Sequence, residues 1–123
     1  MKKRVLVIDD EEDIAEVIGV ALQSDYAVSI LHAIRDPLAE VAEADPDIIL
    51  LDLWIPELGG EEVLAKLKKN PETNHIPVVI ISADNQAQEI AHSNKADAFL
   101  AKPFRIKELK DLIRTLLTES AES

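Results

Sequence analysis

Apolar residues are grouped in blocks along the chain, and the blocks are of two kinds. Three short blocks are apolar at every position, which is typical of parallel strands covered on both faces of a sheet. They are Val5–Ile8, Ile48–Leu51 and Val78–Ile81. Two weaker blocks, Ala27–Leu31 and Ala98–Leu100, are assigned to strands as well. The pattern therefore predicts five strands.

The segments between the strands have the spacing of amphipathic helices, in which apolar residues recur every three or four positions. The second, third and fourth predicted helices are Pro37–Ala44, Glu61–Lys69 and Gln86–Asn94. In the third, the inward residues are Val63, Leu64 and Leu67. The apolar face of the first helix contains Ile14, Val17, Ile18, Ala21 and Leu22. That of the last contains Ile106, Leu109, Leu112, Ile113, Leu116 and Leu117.

A strand followed by a helix, repeated five times, predicts the α/β class: a doubly wound (βα)5 parallel sheet with helices on both faces. In such open sheets, chemistry collects at the carboxyl ends of the strands, where the strand order reverses. Polar residues lie at these ends in four of the five predicted strands. They are Asp9 and Asp10, Asp52, Ser82 next to Ala83, and Lys102. We therefore expect these residues to meet at one edge of the sheet.

Three carboxylates at one site repel one another unless a cation joins them. Two carboxylates about 5 Å apart repel by roughly 3 kcal/mol at an effective dielectric constant of 20. A hard divalent ion that prefers oxygen ligands and keeps open water positions is Mg²⁺. A carboxylate beside Mg²⁺ can attack phosphorus, while Lys102 and the Ser82 hydroxyl hold the oxygens of the transferred group. The sequence therefore predicts aspartyl-phosphate chemistry with Mg²⁺.

The overall composition restricts the function further. The 123 residues carry a formal net charge of −11, which argues against sequence-independent binding to nucleic acid by this chain. No run approaches a membrane span, and there are no cysteines. We predict a cytoplasmic protein with one domain at residues 1–118 and a polar tail at residues 119–123. It is either a stand-alone protein or a piece cut from a larger one.

Four segments resemble, in order and spacing, the signature blocks of the receiver domain of two-component response regulators, similar to the chemotaxis regulators. They are VLVIDDEED, DIILLDLWIPELGGEE, VVIISAD and ADAFLAKPF, and the resemblance covers nearly the whole chain. It implies a flavodoxin-like sheet with the strand order 2-1-3-4-5. It also implies a signalling switch rather than an enzyme, although a receiver promotes its own phosphotransfer and slow dephosphorylation. The implied partners are a histidine kinase or histidine phosphotransfer protein, and a downstream protein or fused output domain.

The resemblance also implies a role for each matching residue. Asp52 is the phosphoacceptor, and Lys102, Ser82 and the Ala83 backbone N–H hold the phosphoryl oxygens. The metal ligands are Asp9 (mainly through water), Asp10, Asp52 and the backbone carbonyl of Trp54. Ser82 and Phe99 form the switch that changes the surface of the fourth helix, fifth strand and fifth helix. The Lys102–Pro103 peptide bond is expected to be cis.

Some positions depart from the family pattern. Gly59 replaces the usual aspartate in the turn from Pro56 to Gly60, and Lys95 replaces a glycine. Phe99 lacks the hydroxyl group of the more common tyrosine, so we expect it to prefer the inward state. We also expect the bulky Trp54 to obstruct the attacking water and to slow dephosphorylation.

Simpler explanations exist for several of these features. Acids are favoured in the first turn of a helix, so Glu12 and Asp13 are assigned to the helix start. The basic stripe on the last helix is a solvated face or a docking surface; it consists of Arg105, Lys107, Lys110 and Arg114. The three histidines show no ligand spacing and are assigned no site.

Two other functions use the same residues. A degenerate receiver would act as a binding module without phosphorylation, but the complete set of Asp10, Asp52 and Lys102 argues against it. A Mg²⁺-dependent phosphatase of the haloacid-dehalogenase type also forms an aspartyl phosphate. That family needs a second aspartate two residues after the nucleophile, where this chain has Trp54.

Overall fold

The computed structural model describes residues 2–55, 58–84 and 86–122, with side chains up to residue 119. The strands are β1 (Lys3–Ile8), β2 (Tyr26–Leu31), β3 (Ile48–Asp52), β4 (Val78–Ser82) and β5 (Ala98–Ala101). The helices are α1 (Glu12–Leu22), α2 (Pro37–Ala44), α3 (Gly60–Lys69), α4 (Ala87–Ser93) and α5 (Ile106–Glu122). Each predicted element is present, and its bounds differ from the prediction mainly by one or two residues.

The five strands form one parallel sheet in the order β2-β1-β3-β4-β5. This confirms the predicted flavodoxin-like α/β fold. The order reverses between β1 and β3, so the ends of these two central strands open a crevice at the carboxyl edge of the sheet.

Two apolar cores, one on each face of the sheet, explain why the central strands are apolar at every position. Alternate residues of a strand point to opposite faces. In β3, Ile49 and Leu51 pack into the core that also contains apolar residues of α2, α3 and α4. Ile48 and Leu50 pack into the other core, beneath α1 and α5. Both faces are therefore buried, and no strand position of β3 can be polar until Asp52 at its end.

Helix α3 buries Val63, Leu64 and Leu67, as predicted. The prediction for α1 was wrong at Val17, whose exposed fraction is 58%. The buried residues of α1 are Ala15, Ile18 and Leu22. Ala15 is fully buried in the core beneath α1, and Val17, two residues later, lies about 200° around the helix from it.

The backbone has several unusual conformations. The Lys102–Pro103 bond is cis, as expected, and Lys95 has a φ of 64°, in the left-handed region where a glycine is usual. Gly59 has a φ of 80° and precedes the first residue of α3. Pro56, which begins the predicted turn, lies outside the described residues. Helix α5 includes residues 119–122 of the predicted tail, and the division of the chain at residue 118 stays a prediction.

Candidate functional site

Strand register brings the two acidic strand ends side by side. Ile8 of β1 pairs with Leu31 of β2 and with Leu51 of β3. Asp9 directly follows β1, and its backbone N–H donates to the carbonyl of Leu31 at 3.0 Å. The next residue of β3 is Asp52. The pairing that buries these strands therefore places both carboxylates in the crevice.

The other half of the crevice comes from β4 and β5. Ser82 pairs with Ala101, and the backbone N–H of Lys102 donates to the carbonyl of Ser82 at 3.0 Å. Lys102 thereby leaves the sheet at the same edge as Asp52. The structure brings together all five polar residues that the sequence places at strand ends, while their roles stay predictions.

Asp9, Asp10 and Asp52 form a cluster with the donor set that a divalent cation requires. One carboxylate oxygen of each lies within 4.8 Å of the others. Asp9 and Asp52 are buried, whereas Asp10 is exposed. Three hard oxygen donors with one side open to solvent fit Mg²⁺, which keeps several of its waters when it binds. The residues present therefore could hold this ion.

The environment of Asp52 favours its protonated form when no cation is present. Burial and the neighbouring charge of Asp9 raise the pKa of Asp52 from 3.8 to about 7. The hydrogen bond that Oδ1 accepts from the backbone N–H of Trp54, at 3.2 Å, and the charge of Lys102 act in the opposite direction. Because the pKa of Asp52 is raised on balance, the groups around it do not fully compensate the negative charge of the site.

Lys102 is the cation that the described residues provide to this cluster. Its Nζ lies 3.4 Å from Asp9 Oδ2 and 3.8 Å from Asp52 Oδ2. A third carboxylate, Oε1 of Glu11, is closer at 3.0 Å. Burial lowers the pKa of Lys102, but the hydrogen bond to Glu11 and the charges of Asp52, Asp9 and Glu11 outweigh it, so the pKa is raised. Lys102 is therefore held charged against the acids.

Glu11 was not singled out by the sequence analysis. It lies in the acidic run between the two predicted metal ligands and the two acids assigned to the helix start. No spacing rule distinguishes it from Glu12, because its contact depends on where the β5–α5 loop brings Lys102. The acidic run therefore has three parts: Asp9 and Asp10 belong to the carboxylate cluster, Glu11 pairs with Lys102 outside that cluster, and Glu12 and Asp13 lie in the first turn of α1.

His32 was assigned no site, but it contacts the cluster from the end of β2. Its Nδ1 lies 3.0 Å from the backbone carbonyl oxygen of Asp9. Since a carbonyl only accepts hydrogen bonds, Nδ1 carries the proton and donates. That carbonyl belongs to the same rigid peptide plane as the backbone nitrogen of Asp10. His32 therefore helps to orient the residue that presents Asp10.

The predicted switch residues line β4 and β5. Ser82 is buried, and its Oγ accepts a hydrogen bond from the backbone N–H of Asp84 at 3.1 Å. Ala83, the next residue, is exposed. Phe99 is half-buried and packs against the core on the α4 side of the sheet, and its preference for the inward state stays a prediction.

The segment after Asp52 is held by a close approach of α3. The backbone N–H of Gly60 donates to the carbonyl of Leu53 at 2.8 Å. A Cβ atom on Gly60 would lie 2.5 Å from the carbonyl oxygen of Asp52 and 2.6 Å from Cα of Leu53, so only glycine fits. The side chain of Trp54 is 58% exposed beside this contact.

An open groove of about 530 Å³ borders the site next to Lys102. Its lining is mainly apolar and joins α1 to the β5–α5 loop. The lining residues are Asp13, Ile14, Val17, Ile18, Ala83, Lys102, Pro103, Phe104 and Ile106. The exposed Val17 thus belongs to an apolar surface beside the candidate phosphoacceptor.

Residues 5–114 match the model of the response regulator receiver domain. This chain belongs to that family. It is a receiver domain of two-component signalling, as the four sequence blocks indicated. The match includes every strand end described above.

The curated relatives of this receiver are longer proteins. The uncharacterized transcriptional regulatory protein YkoG of Bacillus subtilis is 34% identical over 122 residues, which are 97% of this chain and 53% of that protein. The DNA-binding response regulator MtrA of Mycobacterium leprae is 29% identical over 95% of this chain and 52% of that protein. The chain therefore spans about half the length of these relatives.

Solved structures share the fold over nearly the whole chain. A putative response regulator from Chloroflexus aurantiacus has a TM-score of 0.90 at 23% identity, covering 96% of this chain and 99% of that one. The Francisella response regulator 1452 receiver domain has a TM-score of 0.86 at 26% identity, covering 97% and 99%. Within the described part of this receiver, no helix has the length and apolar character needed to cross a membrane.

Proposed function

We propose that this receiver accepts a phosphoryl group on Asp52 from a phosphohistidine of a histidine kinase or phosphotransfer protein. One observation carries the proposal: a buried carboxylate lies between a lysine and two further carboxylates. In the transfer, a carboxylate oxygen of Asp52 forms a bond to phosphorus as the bond from phosphorus to the histidine nitrogen breaks. The freed imidazole keeps the electron pair.

The proposed metal ligands are Asp9, mainly through water, Asp10, Asp52 and the backbone carbonyl of Trp54. When bound, Mg²⁺ would neutralise the cluster and the charge on the phosphoryl oxygens. Groups of the chain itself orient the Asp52 carboxylate and bind the oxygens of the transferred group. The Trp54 backbone N–H orients the Asp52 carboxylate, and Lys102 supplies a positive charge to the transferred group. The Ser82 hydroxyl and the Ala83 N–H are proposed to donate to its oxygens.

The acyl phosphate would then act as a switch. Its oxygens draw the Ser82 hydroxyl toward Asp52, and Phe99 holds the inward position that this movement leaves open. The surface of α4, β5 and α5 changes with these residues, and a partner that binds one state better shifts the equilibrium. The downstream partner is proposed to be a protein or an output domain, and the charge of −11 argues against direct nucleic-acid contact by this chain.

This receiver is a phosphoacceptor that assists its own phosphorylation rather than an enzyme with turnover. We propose slow self-dephosphorylation, with the bulky and exposed Trp54 side chain, two residues after Asp52, obstructing the attacking water. A cytoplasmic location stays a prediction. The phosphatase alternative lacks its second aspartate, and the binding-module alternative predicts no phosphorylation at all.

Labelling with radioactive acetyl phosphate in millimolar Mg²⁺ tests the proposal. The parent protein should take up label that is lost with EDTA and with Asp52→Asn. The matched control is Asp25→Asn, which removes an exposed aspartate between α1 and β2 and should label like the parent. Equal labelling of Asp52→Asn and the parent would exclude Asp52 as the acceptor, and an unlabelled parent would favour the binding module.

A further inference from the structure

Glu11 makes the closest of the ion pairs described for Lys102. Its carboxylate lies 3.0 Å from Nζ, compared with 3.4 Å for Asp9 and 3.8 Å for Asp52. The Lys102 side chain is 13% exposed, whereas that of Glu11 is 54% exposed. Lys102 therefore stays near the crevice, and the acid can move away from it into solvent without losing hydration.

The position of Glu11 supports a specific role for its side chain. It occupies the N-cap of α1, where side chains usually accept a hydrogen bond from the first turn, yet it makes no such bond. Its backbone is fixed on both sides: the N–H donates to Asp9 Oδ1 at 2.9 Å, and the carbonyl accepts from Ala15 at 3.0 Å. The side chain does not cap the helix and reaches Lys102 instead.

The charges of the cluster decide what this contact does. A cation bound by Asp9, Asp10 and Asp52 would satisfy those carboxylates, which weakens their hold on Lys102. Glu11 lies outside the group of three whose oxygens lie within 4.8 Å of one another. The Glu11 carboxylate would therefore still attract Lys102 after a cation has bound. An incoming phosphoryl group must compete with Glu11 for the Lys102 ammonium group.

We propose that Glu11 is a positioning residue that holds Lys102 in the resting state and releases it when the phosphoryl group arrives. This inference rests on the proposed function at Asp52. The contact stabilises the resting state only, so it lowers the affinity of the site for a phosphoryl anion. Removing it should shift the receiver toward the activated state.

Beryllofluoride, a phosphoryl mimic, tests this at saturating Mg²⁺, with the bound form read by ¹⁹F NMR. Glu11→Gln should bind it about two- to fivefold more tightly than the parent, the range expected for a half-exposed ion pair. Glu11→Asp keeps the charge but shortens the reach to Lys102, and should also bind more tightly. Glu12→Gln removes an exposed charge one residue away and should match the parent.

A double-mutant cycle in metal-free buffer tests the resting contact without any phosphoryl group. The effects of Glu11→Gln and Lys102→Met on the urea midpoint should not add, and those of Glu12→Gln and Lys102→Met should add. Additive effects at Glu11 would overturn the inference. So would unchanged beryllofluoride affinity in Glu11→Gln, or an equal gain in Glu12→Gln. If the parent binds no beryllofluoride although the cycle shows coupling between Glu11 and Lys102, the proposed phosphorylation of Asp52 is wrong. The proposed release of Lys102 on phosphorylation is then wrong as well, although the resting contact exists.

Discussion

Gly60 at the start of α3 approaches the backbone of Asp52 so closely that a Cβ atom would lie 2.5 Å from the Asp52 carbonyl oxygen. The contact fixes the segment that carries both the proposed phosphoacceptor and the Trp54 carbonyl. Because the overlapping atoms are backbone atoms, neither side can move without moving the site.

We expect Gly60→Ala to lower the free energy of unfolding by about 2–4 kcal/mol, since the added methyl group overpacks a rigid contact. It should also weaken Mg²⁺ binding in calorimetric titrations. The neighbouring Gly59 has open space around its missing Cβ, but its φ of 80° and ψ of 146° lie where only glycine is readily accommodated, so Gly59→Ala should cost about 1–3 kcal/mol through backbone strain and leave Mg²⁺ affinity as in the parent. Equal losses of Mg²⁺ affinity in the two variants would mean that the close approach of Gly60 does not matter.

Stability should depend on pH through Asp52. Its pKa in the folded state is about 7, above the ordinary value of 3.8, so the folded protein holds this proton more tightly than the unfolded chain. The contribution of Asp52 is therefore fully present below about pH 4 and is lost as the pH rises through about 7.

Asp52→Asn removes this dependence, so in EDTA its stability relative to the parent should grow between pH 5 and pH 8. Urea unfolding at both values measures the change, with Asp25→Asn as the control that keeps the parental dependence. Millimolar Mg²⁺ should remove most of the advantage of Asp52→Asn at pH 8. A constant difference across the pH range would show that Asp52 is not destabilised by its surroundings.

His32 should matter for metal affinity, because its ring holds the peptide plane that joins Asp9 to Asp10. Mutation of a group that hydrogen-bonds a metal ligand commonly lowers metal affinity by about tenfold or more. Because His32 holds the backbone between the ligands rather than a ligand side chain, we expect about three- to tenfold weaker Mg²⁺ binding in His32→Ala. His32→Gln keeps a donor and should recover part of the loss. His75→Ala, in an exposed loop, is the control. Parental affinity in His32→Ala would rule out this positioning role.

The groove beside Lys102 should serve the phosphohistidine donor. Val17→Asp places a charge on its exposed apolar wall and should slow transfer from a phosphorylated histidine partner about tenfold or more, because desolvating a charge opposes docking. Phosphorylation by acetyl phosphate, which needs no docking, should be unchanged. Leu38→Asp alters an apolar residue on α2, 37% exposed, and should leave both rates as in the parent. Equal slowing with acetyl phosphate would place the defect in the site itself.

The convergence of Asp9, Asp52, Ser82 and Lys102 could be predicted because parallel strands bring their carboxyl ends to one edge, whatever the details of packing. The contacts of Glu11 and His32 could not, since they depend on side-chain conformations and on loops that periodicity does not describe. Val17 was misplaced for a related reason. Helical spacing defines a wide apolar face, and only the packing of Ala15 against the sheet selects which part of it is buried.

The identity of the phosphorylated residue tests the central claim most directly. After reaction with acetyl phosphate and Mg²⁺, borohydride reduces an aspartyl phosphate to homoserine, and peptide mass spectrometry locates that residue. We predict homoserine at position 52 and at no other aspartate, and none when EDTA replaces Mg²⁺. Homoserine at Asp9 or Asp10 instead, or none at position 52 in Mg²⁺, would contradict the account.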